Sequence, residues 1–176
     1  RLLKIISNKR GWMRTPVIVL TGQGNTDAVA QILLCEAGTV LVEHRFDGHV
    51  VHRAMTDLQQ GISVRASAVL VLAHGCVACT IHDDQLSILR ALHRRTDVHR
   101  IVVQLTEWLE PEPVCWAIGN SATRRDVEIA AVVSCVDTAN WLSQAVGDDE
   151  LDDGRTVAQV VVGQMEFADL IVLTHP

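Results

Sequence analysis

The fold is decided by the segment Val17-Ile-Val-Leu-Thr-Gly-Gln-Gly-Asn-Thr-Asp27. It begins with a short apolar run that is rich in β-branched residues, of the kind buried in parallel sheets. A glycine-containing turn follows, and residues 27–36 then form a helix whose apolar face consists of Ala28, Val29, Ile32 and Leu33. A strand, a tight turn and a helix in this order predict the first unit of an α/β fold.

The same alternation continues along the chain. Further strands are predicted at 39–43, 66–73, 100–105, 127–136 and 170–173, and further helices at 84–95 and 157–167. Strands that alternate with helices form a mainly parallel sheet flanked by helices. We therefore expect one α/β domain over residues 15–176, preceded by a basic extension at 1–14 and truncated before a C-terminal region.

Composition limits the class of protein. The 176 residues are 48% hydrophobic and 20% charged, which suits one domain with a sizeable core and excludes a disordered chain. No apolar run approaches the roughly 20 residues of a membrane span, so no membrane partner is expected. The net charge of −6 argues against nucleic-acid binding through bulk charge and leaves only a local basic patch for that role.

The five cysteines divide into one close pair and three isolated residues. Nothing indicates secretion, so we expect reduced thiols in the cytoplasm. Cys76 and Cys79 have metal-ligand spacing, and His74 and His82 are candidate imidazole ligands beside them. Three interpretations stay open for the pair: exchangeable zinc completed by a histidine or a partner ligand, a redox pair, or a turn without metal.

A basic patch is predicted around the end of the helix at 84–95. Its arginines are joined by basic residues near the N-terminus, and the candidate phosphate-binding residues are Arg90, Arg94, Arg95, Arg100, Lys9 and Arg10. Contacts with the phosphates of a nucleic acid need only such a local patch. The alternative is an ordinary solvated helix face.

Several motifs resemble those of the CobW-like family of P-loop GTPases, which includes metallochaperones. In chain order they are Thr15-Pro-Val-Ile-Val-Leu-Thr-Gly22, Gly75-Cys-Val-Ala-Cys-Thr80, Arg100-Ile-Val-Val-Gln-Leu-Thr-Glu107, Val133-Ser-Cys-Val-Asp137 and Gln164-Met-Glu-Phe-Ala-Asp-Leu-Ile-Val-Leu173. The resemblance implies a P-loop NTPase-like, mainly parallel sheet flanked by helices, and a function connected with zinc.

The sequence departs from the family at each nucleotide determinant. A working P-loop reads Gly-x-x-x-x-Gly-Lys-Ser/Thr, but here Thr26 takes the lysine position and Asp27 the hydroxyl position. Gln104-Leu-Thr-Glu107 replaces the family's Glu-Thr/Ser-x-Gly, and Leu173-Thr-His-Pro176 replaces the guanine-reading Leu-Asn-Lys-x-Asp. We therefore expect a degenerate nucleotide site, no GTP and no enzyme activity.

This combination resembles a degenerate actinobacterial branch of the family. That resemblance implies a non-catalytic, zinc-responsive adaptor that binds the small ribosomal subunit and its RNA and helps to recruit a ribosome hibernation factor. The alternative is a zinc metallochaperone in which Cys76 and Cys79 carry the ion. Under either reading the expected cofactor is exchangeable zinc.

Overall fold

The computed structural model describes residues 14–59, 61–106 and 108–175. These residues form seven strands: β1 (Thr15–Gly22), β2 (Thr39–Phe46), β3 (Val51–Gln59), β4 (Ile62–Leu70), β5 (Arg100–Gln104), β6 (Val127–Asp137) and β7 (Leu170–Thr174). They also form five α-helices: α1 (Thr26–Leu34), α2 (Val77–His93), α3 (Pro111–Asn120), α4 (Trp141–Val146) and α5 (Val157–Glu166). A 3₁₀ turn at Ala122–Arg125 precedes β6.

The strands make one sheet in the order β4-β3-β2-β5-β1-β6-β7. The five neighbouring strands β2, β5, β1, β6 and β7 pair in parallel. β3 and β4 add an antiparallel hairpin at the β2 edge. The predicted α/β fold with a mainly parallel sheet flanked by helices is therefore confirmed.

The inner strand β1 is buried on both faces, which explains its unbroken apolar run. Val17 and Val19 face a core completed by Leu89 and Leu92 of α2 and by residues of α3. Ile18 and Leu20 face the opposite core, which α1 covers with Leu33 and Leu34. Each fully buried aliphatic side chain of this kind contributes about 1.5–3 kcal/mol. The two layers hold the carboxyl end of β1 in a fixed position.

The largest difference from the sequence-based expectation lies between residues 51 and 83. The strand expected at 66–73 is β4, which lies at the sheet edge with most of its residues exposed, and β3 was not predicted. The turn between these strands contains Gly61 at φ +81°, which permits a tight antiparallel return. The helix expected from Asp84 begins at Val77, because Cys76 caps its first turn.

Two short helices, α3 and α4, were also missed by the sequence analysis. The predicted extension at 1–14 lies outside the described residues except for Arg14, so it stays a prediction. None of the described helices is long and apolar enough to cross a membrane.

Candidate functional site

A cleft of about 1080 Å³ opens at the carboxyl ends of β1, β2 and β5. In open α/β sheets this is the edge at which ligands bind. The lining comes from the loop between β1 and α1, the end of β2, the first residues of α2 and the acidic segment 150–153. The cleft is therefore the candidate ligand site of the domain.

The amide groups of the loop between β1 and α1 are hydrogen-bonded within the protein. The amide of Gly24 donates to the carbonyl of Cys135 at 2.9 Å, and the amide of Asn25 donates to Thr174 Oγ1 at 3.3 Å. The amide of Thr26 donates to the carbonyl of Gly24 at 2.7 Å, and that of Ala28 to Asn25 Oδ1 at 3.0 Å. A phosphate-binding loop instead directs such groups at the anion. These four donors are engaged within the protein.

The glycines of the loop serve its packing against β6. A Cβ atom at Gly22 would overlap the backbone of Cys135, and one at Gly24 would lie 2.9 Å from the carbonyl carbon of the same residue. Gly22 also has φ +110°, which side-chain-bearing residues rarely adopt. The geometry matches a strand-to-helix turn pressed against its neighbouring strand.

The residues at the family's lysine, hydroxyl and strand-end positions bond to one another. Gln104 Nε2 donates to Thr26 Oγ1 at 3.0 Å and to Asp27 Oδ1 at 2.7 Å. Gln104 is buried, and Arg45 approaches the same Asp27 oxygen at 3.5 Å. A carboxylate, already paired, thus lies where the family's P-loop places a hydroxyl. The group fits neither magnesium-bound phosphate nor a polyphosphate chain.

The acidic segment with Glu150, Asp152 and Asp153 closes one side of the cleft. Arg155 donates to Asp153 at 2.6 Å, to Glu110 at 3.1 Å and to the carbonyl of Trp108 at 3.0 Å. The hydrogen bonds to Asp153 lead the causes that raise the pKa of Arg155 and, reciprocally, lower the pKa of Asp153. Five carboxylates line the cleft against two guanidinium groups, which disfavours a polyanion.

Cys76 and Cys79 lie at the rim of the cleft, on either side of the lining residues Val77 and Ala78. Their sulfurs are joined in a disulfide with a Cα–Cα distance of 5.3 Å. The expectation of reduced thiols is therefore corrected for this pair. The physical reason is local, because a spacing of three residues across the first turn of α2 brings both side chains together.

The four predicted metal ligands are not assembled around one point. His74 is exposed at φ +52° before the turn, and His82 lies six residues after Cys76, about 9 Å further along the helix axis. Burial lowers the pKa of His82, and its Nε2 atom is buried without a hydrogen-bond partner. No three His, Cys, Asp or Glu side chains in the described part of the chain are arranged to hold a metal ion. The residues therefore do not fit a resident metal centre.

A buried polar cluster beneath α2 escaped the sequence analysis. His44 Nε2 lies 2.8 Å from Asp84 Oδ2, and Arg53 Nη1 donates to Asp84 Oδ1 at 2.5 Å. His44 is only 2% exposed. These contacts fasten the second turn of α2 to β2 and β3. The position of His44 directly after the strand predicted at 39–43 was the one signal in the sequence.

The predicted basic patch is weaker than its composition suggests. Arg90 pairs with Asp126 at 3.3 Å, and Arg95 pairs with Asp57 at 2.7 Å and with Asp97 at 2.6 Å. The hydrogen bonds to Asp97 and Asp57 raise the pKa of Arg95. Arg94 is exposed.

Arg100 is 7% exposed at the start of the central strand β5, so its assignment as a nucleic-acid contact was wrong. A position in the middle of the sheet removes its side chain from the surface. Lys9 and Arg10 lie outside the described residues.

Comparison with known proteins gives consistent matches. The model of the CobW/HypB/UreG nucleotide-binding domain matches residues 16–175. A Mycobacterium tuberculosis protein named "Zinc chaperone Rv0106" is 57% identical over 175 residues, which cover 93% of this chain and 44% of that protein. "Zinc-regulated GTPase metalloprotein activator 1" of Dictyostelium discoideum is 22% identical, in an alignment that covers 93% of this chain and 40% of the Dictyostelium protein. The chain thus spans less than half the length of these curated relatives.

A solved structure agrees at the level of the fold. The crystal structure of the zinc-bound YjiA GTPase from E. coli superposes with a TM-score of 0.55 and 20% sequence identity, over 93% of this chain and 50% of that one. At this identity the likeness concerns the fold alone.

Proposed function

The chain belongs to the CobW/HypB/UreG family of nucleotide-binding domains, and from that premise we propose that it is a zinc-handling domain that works without a nucleotide. In this proposal zinc is cargo, in the manner of a zinc metallochaperone, and not a resident cofactor. The names of relatives in M. tuberculosis and D. discoideum, both connected with zinc, support the choice of metal.

The carriers in this proposal are Cys76 and Cys79. The Cα atoms of the two cysteines lie 5.3 Å apart across the first turn of α2, a spacing from which both thiolates of the reduced pair can reach one ion. Zinc prefers four nitrogen or sulfur ligands, and two protein thiolates leave its coordination open. An open shell suits an ion that is passed to another protein, because the recipient's ligands can enter before the carrier's leave.

The proposal that the domain works without a nucleotide rests on the hydrogen bonds of the loop between β1 and α1. The carboxylate of Asp27 is hydrogen-bonded to Gln104, and the amides of Gly24, Asn25 and Thr26 are engaged within the protein. A nucleotide would have to break these bonds and then place its phosphates beside a carboxylate. A domain of this kind is a pseudo-GTPase and not an enzyme.

The test is a zinc titration of the reduced protein in competition with a chromophoric chelator. We expect one zinc ion for each chain, lost in the Cys76→Ser/Cys79→Ser double variant. Cys35→Ser is the matched control, since Cys35 is an exposed cysteine at the end of α1 and away from the pair. Equal zinc affinity in the double variant would contradict the assignment of the carriers.

An adaptor for the small ribosomal subunit stays a second, sequence-based proposal. Exposed Arg94, directly after α2, is the feature that favours it, whereas the pairing of Arg90 and Arg95 with carboxylates reduces the local positive charge. Co-sedimentation with small subunits and a hibernation factor tests this role. Association that survives Arg94→Glu would place the contact elsewhere.

A further inference from the structure

We propose that Cys76 and Cys79 form a reversible dithiol–disulfide site, which exchanges with external thiols and whose oxidation state decides whether the pair can take zinc. The zinc part rests on the proposed function. The redox part stands on the geometry of the turn alone. The substrates of this second activity are thiols and disulfides, of small molecules or of proteins.

The turn before α2 holds the two sulfurs together whether or not they are bonded. The amide of Cys76 donates to the carbonyl of Ala73 at 2.9 Å. The buried hydroxyl of Thr80 donates to the carbonyl of Cys76 at 2.8 Å and accepts the amide of Ala73 at 2.8 Å. The Cα–Cα distance of 5.3 Å lies within the range of unforced disulfides. The backbone of this turn therefore accommodates the bond.

The environments of the two sulfurs differ, and the difference decides which sulfur an incoming thiolate attacks first. Cys79 is exposed, whereas Cys76 is half-buried and its Sγ accepts the amide hydrogen of Cys79 at 3.1 Å. An incoming thiolate reaches the sulfur of Cys79 and forms a mixed disulfide with it. The sulfur of Cys76 leaves with the bonding electron pair, and the amide of Cys79 is placed to stabilise the resulting negative charge.

A second thiolate of the reductant completes the reaction, either from the same dithiol molecule or from a second glutathione molecule. It attacks the reductant's sulfur in the mixed disulfide, so Cys79 leaves as a thiolate and the reductant becomes a disulfide. Two electrons pass to the protein, and two protons from the reductant can end on the cysteines. No other group in the protein is needed. Cys-x-x-Cys pairs at the start of a helix are typical of such exchange.

Zinc binding and disulfide formation exclude each other. A disulfide carries no thiolate, and zinc binds cysteine as the thiolate. Zinc uptake by the reduced pair releases the thiol protons, whereas oxidation by an external disulfide expels the ion. The change is confined to the first turn of α2, and the two cores that stabilise the sheet consist of other residues. The switch therefore operates on a folded domain.

The experiment uses the full-length protein in buffers of reduced and oxidised glutathione. Samples are quenched with acid, alkylated and weighed by mass spectrometry, which counts free thiols directly. We expect one reversible two-electron transition that is abolished by Cys79→Ser and unchanged by Cys35→Ser. Zinc at ten times its dissociation constant should shift the midpoint ratio of [GSH]² to [GSSG] about elevenfold toward oxidising conditions.

The outcomes separate the two proposals. A pair that does not oxidise reversibly, or that retains zinc when oxidised, overturns the inference and leaves zinc handling intact. A pair that cycles reversibly in a protein that never binds zinc overturns the proposed function and the zinc gate, and supports the exchange site. A midpoint that zinc shifts as expected supports both.

Discussion

Gln104 Nε2 lies 2.7 Å from Asp27 Oδ1, so the end of β5 is hydrogen-bonded to the first turn of α1 across 77 residues of sequence. In a nucleotide-binding member of this fold, the space between these elements receives phosphate and magnesium. Here a buried amide and a carboxylate occupy it. The residues at the family's lysine, hydroxyl and strand-end positions look separate in the sequence. In the structure Thr26, Asp27 and Gln104 form one hydrogen-bonded group.

The first prediction concerns nucleotides. Calorimetry of the full-length protein with magnesium and GTP should show no binding at micromolar concentrations, because the loop amides and Asp27 already have partners. The YjiA GTPase from E. coli, measured in the same buffer, is the positive control. A micromolar dissociation constant for this protein would show that other groups hold the phosphates.

The second prediction concerns the close approach of the loop to β6. Gly22→Ala should lower the free energy of unfolding by about 2–4 kcal/mol, because φ +110° and the backbone of Cys135 both oppose a Cβ atom. Gly119→Ala is the matched control in α3, where a Cβ would meet no atom within 4 Å. Helix propensity favours that change by about 0.5–1 kcal/mol. Equal melting temperatures for the two variants would contradict the packing described for Gly22.

The sequence was most informative where burial is continuous. The limits of β5 and β6 were predicted to within one residue at each end, because apolar runs in a parallel core are unambiguous. β3 was missed because buried and exposed residues are mixed along it, and β4 was predicted only from Ala66 onward. The burial of Arg100 and the pairing of Gln104 with Asp27 depend on which strands lie side by side, and local sequence does not encode that arrangement.

The third prediction tests the cluster beneath α2. Asp84→Ala should lower the free energy of unfolding by about 3–5 kcal/mol, since it leaves the mostly buried guanidinium of Arg53 without its partner. Asp83→Ala is the control, because Asp83 is the exposed neighbour on the same helix. Urea denaturation measures both changes. A loss below about 1 kcal/mol for Asp84→Ala would mean that the cluster does not hold α2 to the sheet.

The fourth prediction counts reactive thiols at pH 8. Burial raises the pKa of Cys115 and Cys135 to about 11, so both stay protonated and slow to react at this pH. A colorimetric disulfide reagent should modify one cysteine quickly in the oxidised protein, namely Cys35, and three in the reduced protein. Raising the pH toward 11 should speed the two slow thiols. Five fast thiols in the native reduced protein at pH 8 would contradict the burial of these two.

The most direct test of a zinc-handling domain without a nucleotide is the zinc affinity of the reduced full-length protein, measured with and without millimolar magnesium and GTP. Reciprocal coupling requires that a nucleotide which alters the zinc site also changes its dissociation constant. We predict the same dissociation constant in both conditions, because in the proposed function the domain takes up no GTP. A tenfold or larger change on addition of GTP would contradict the account.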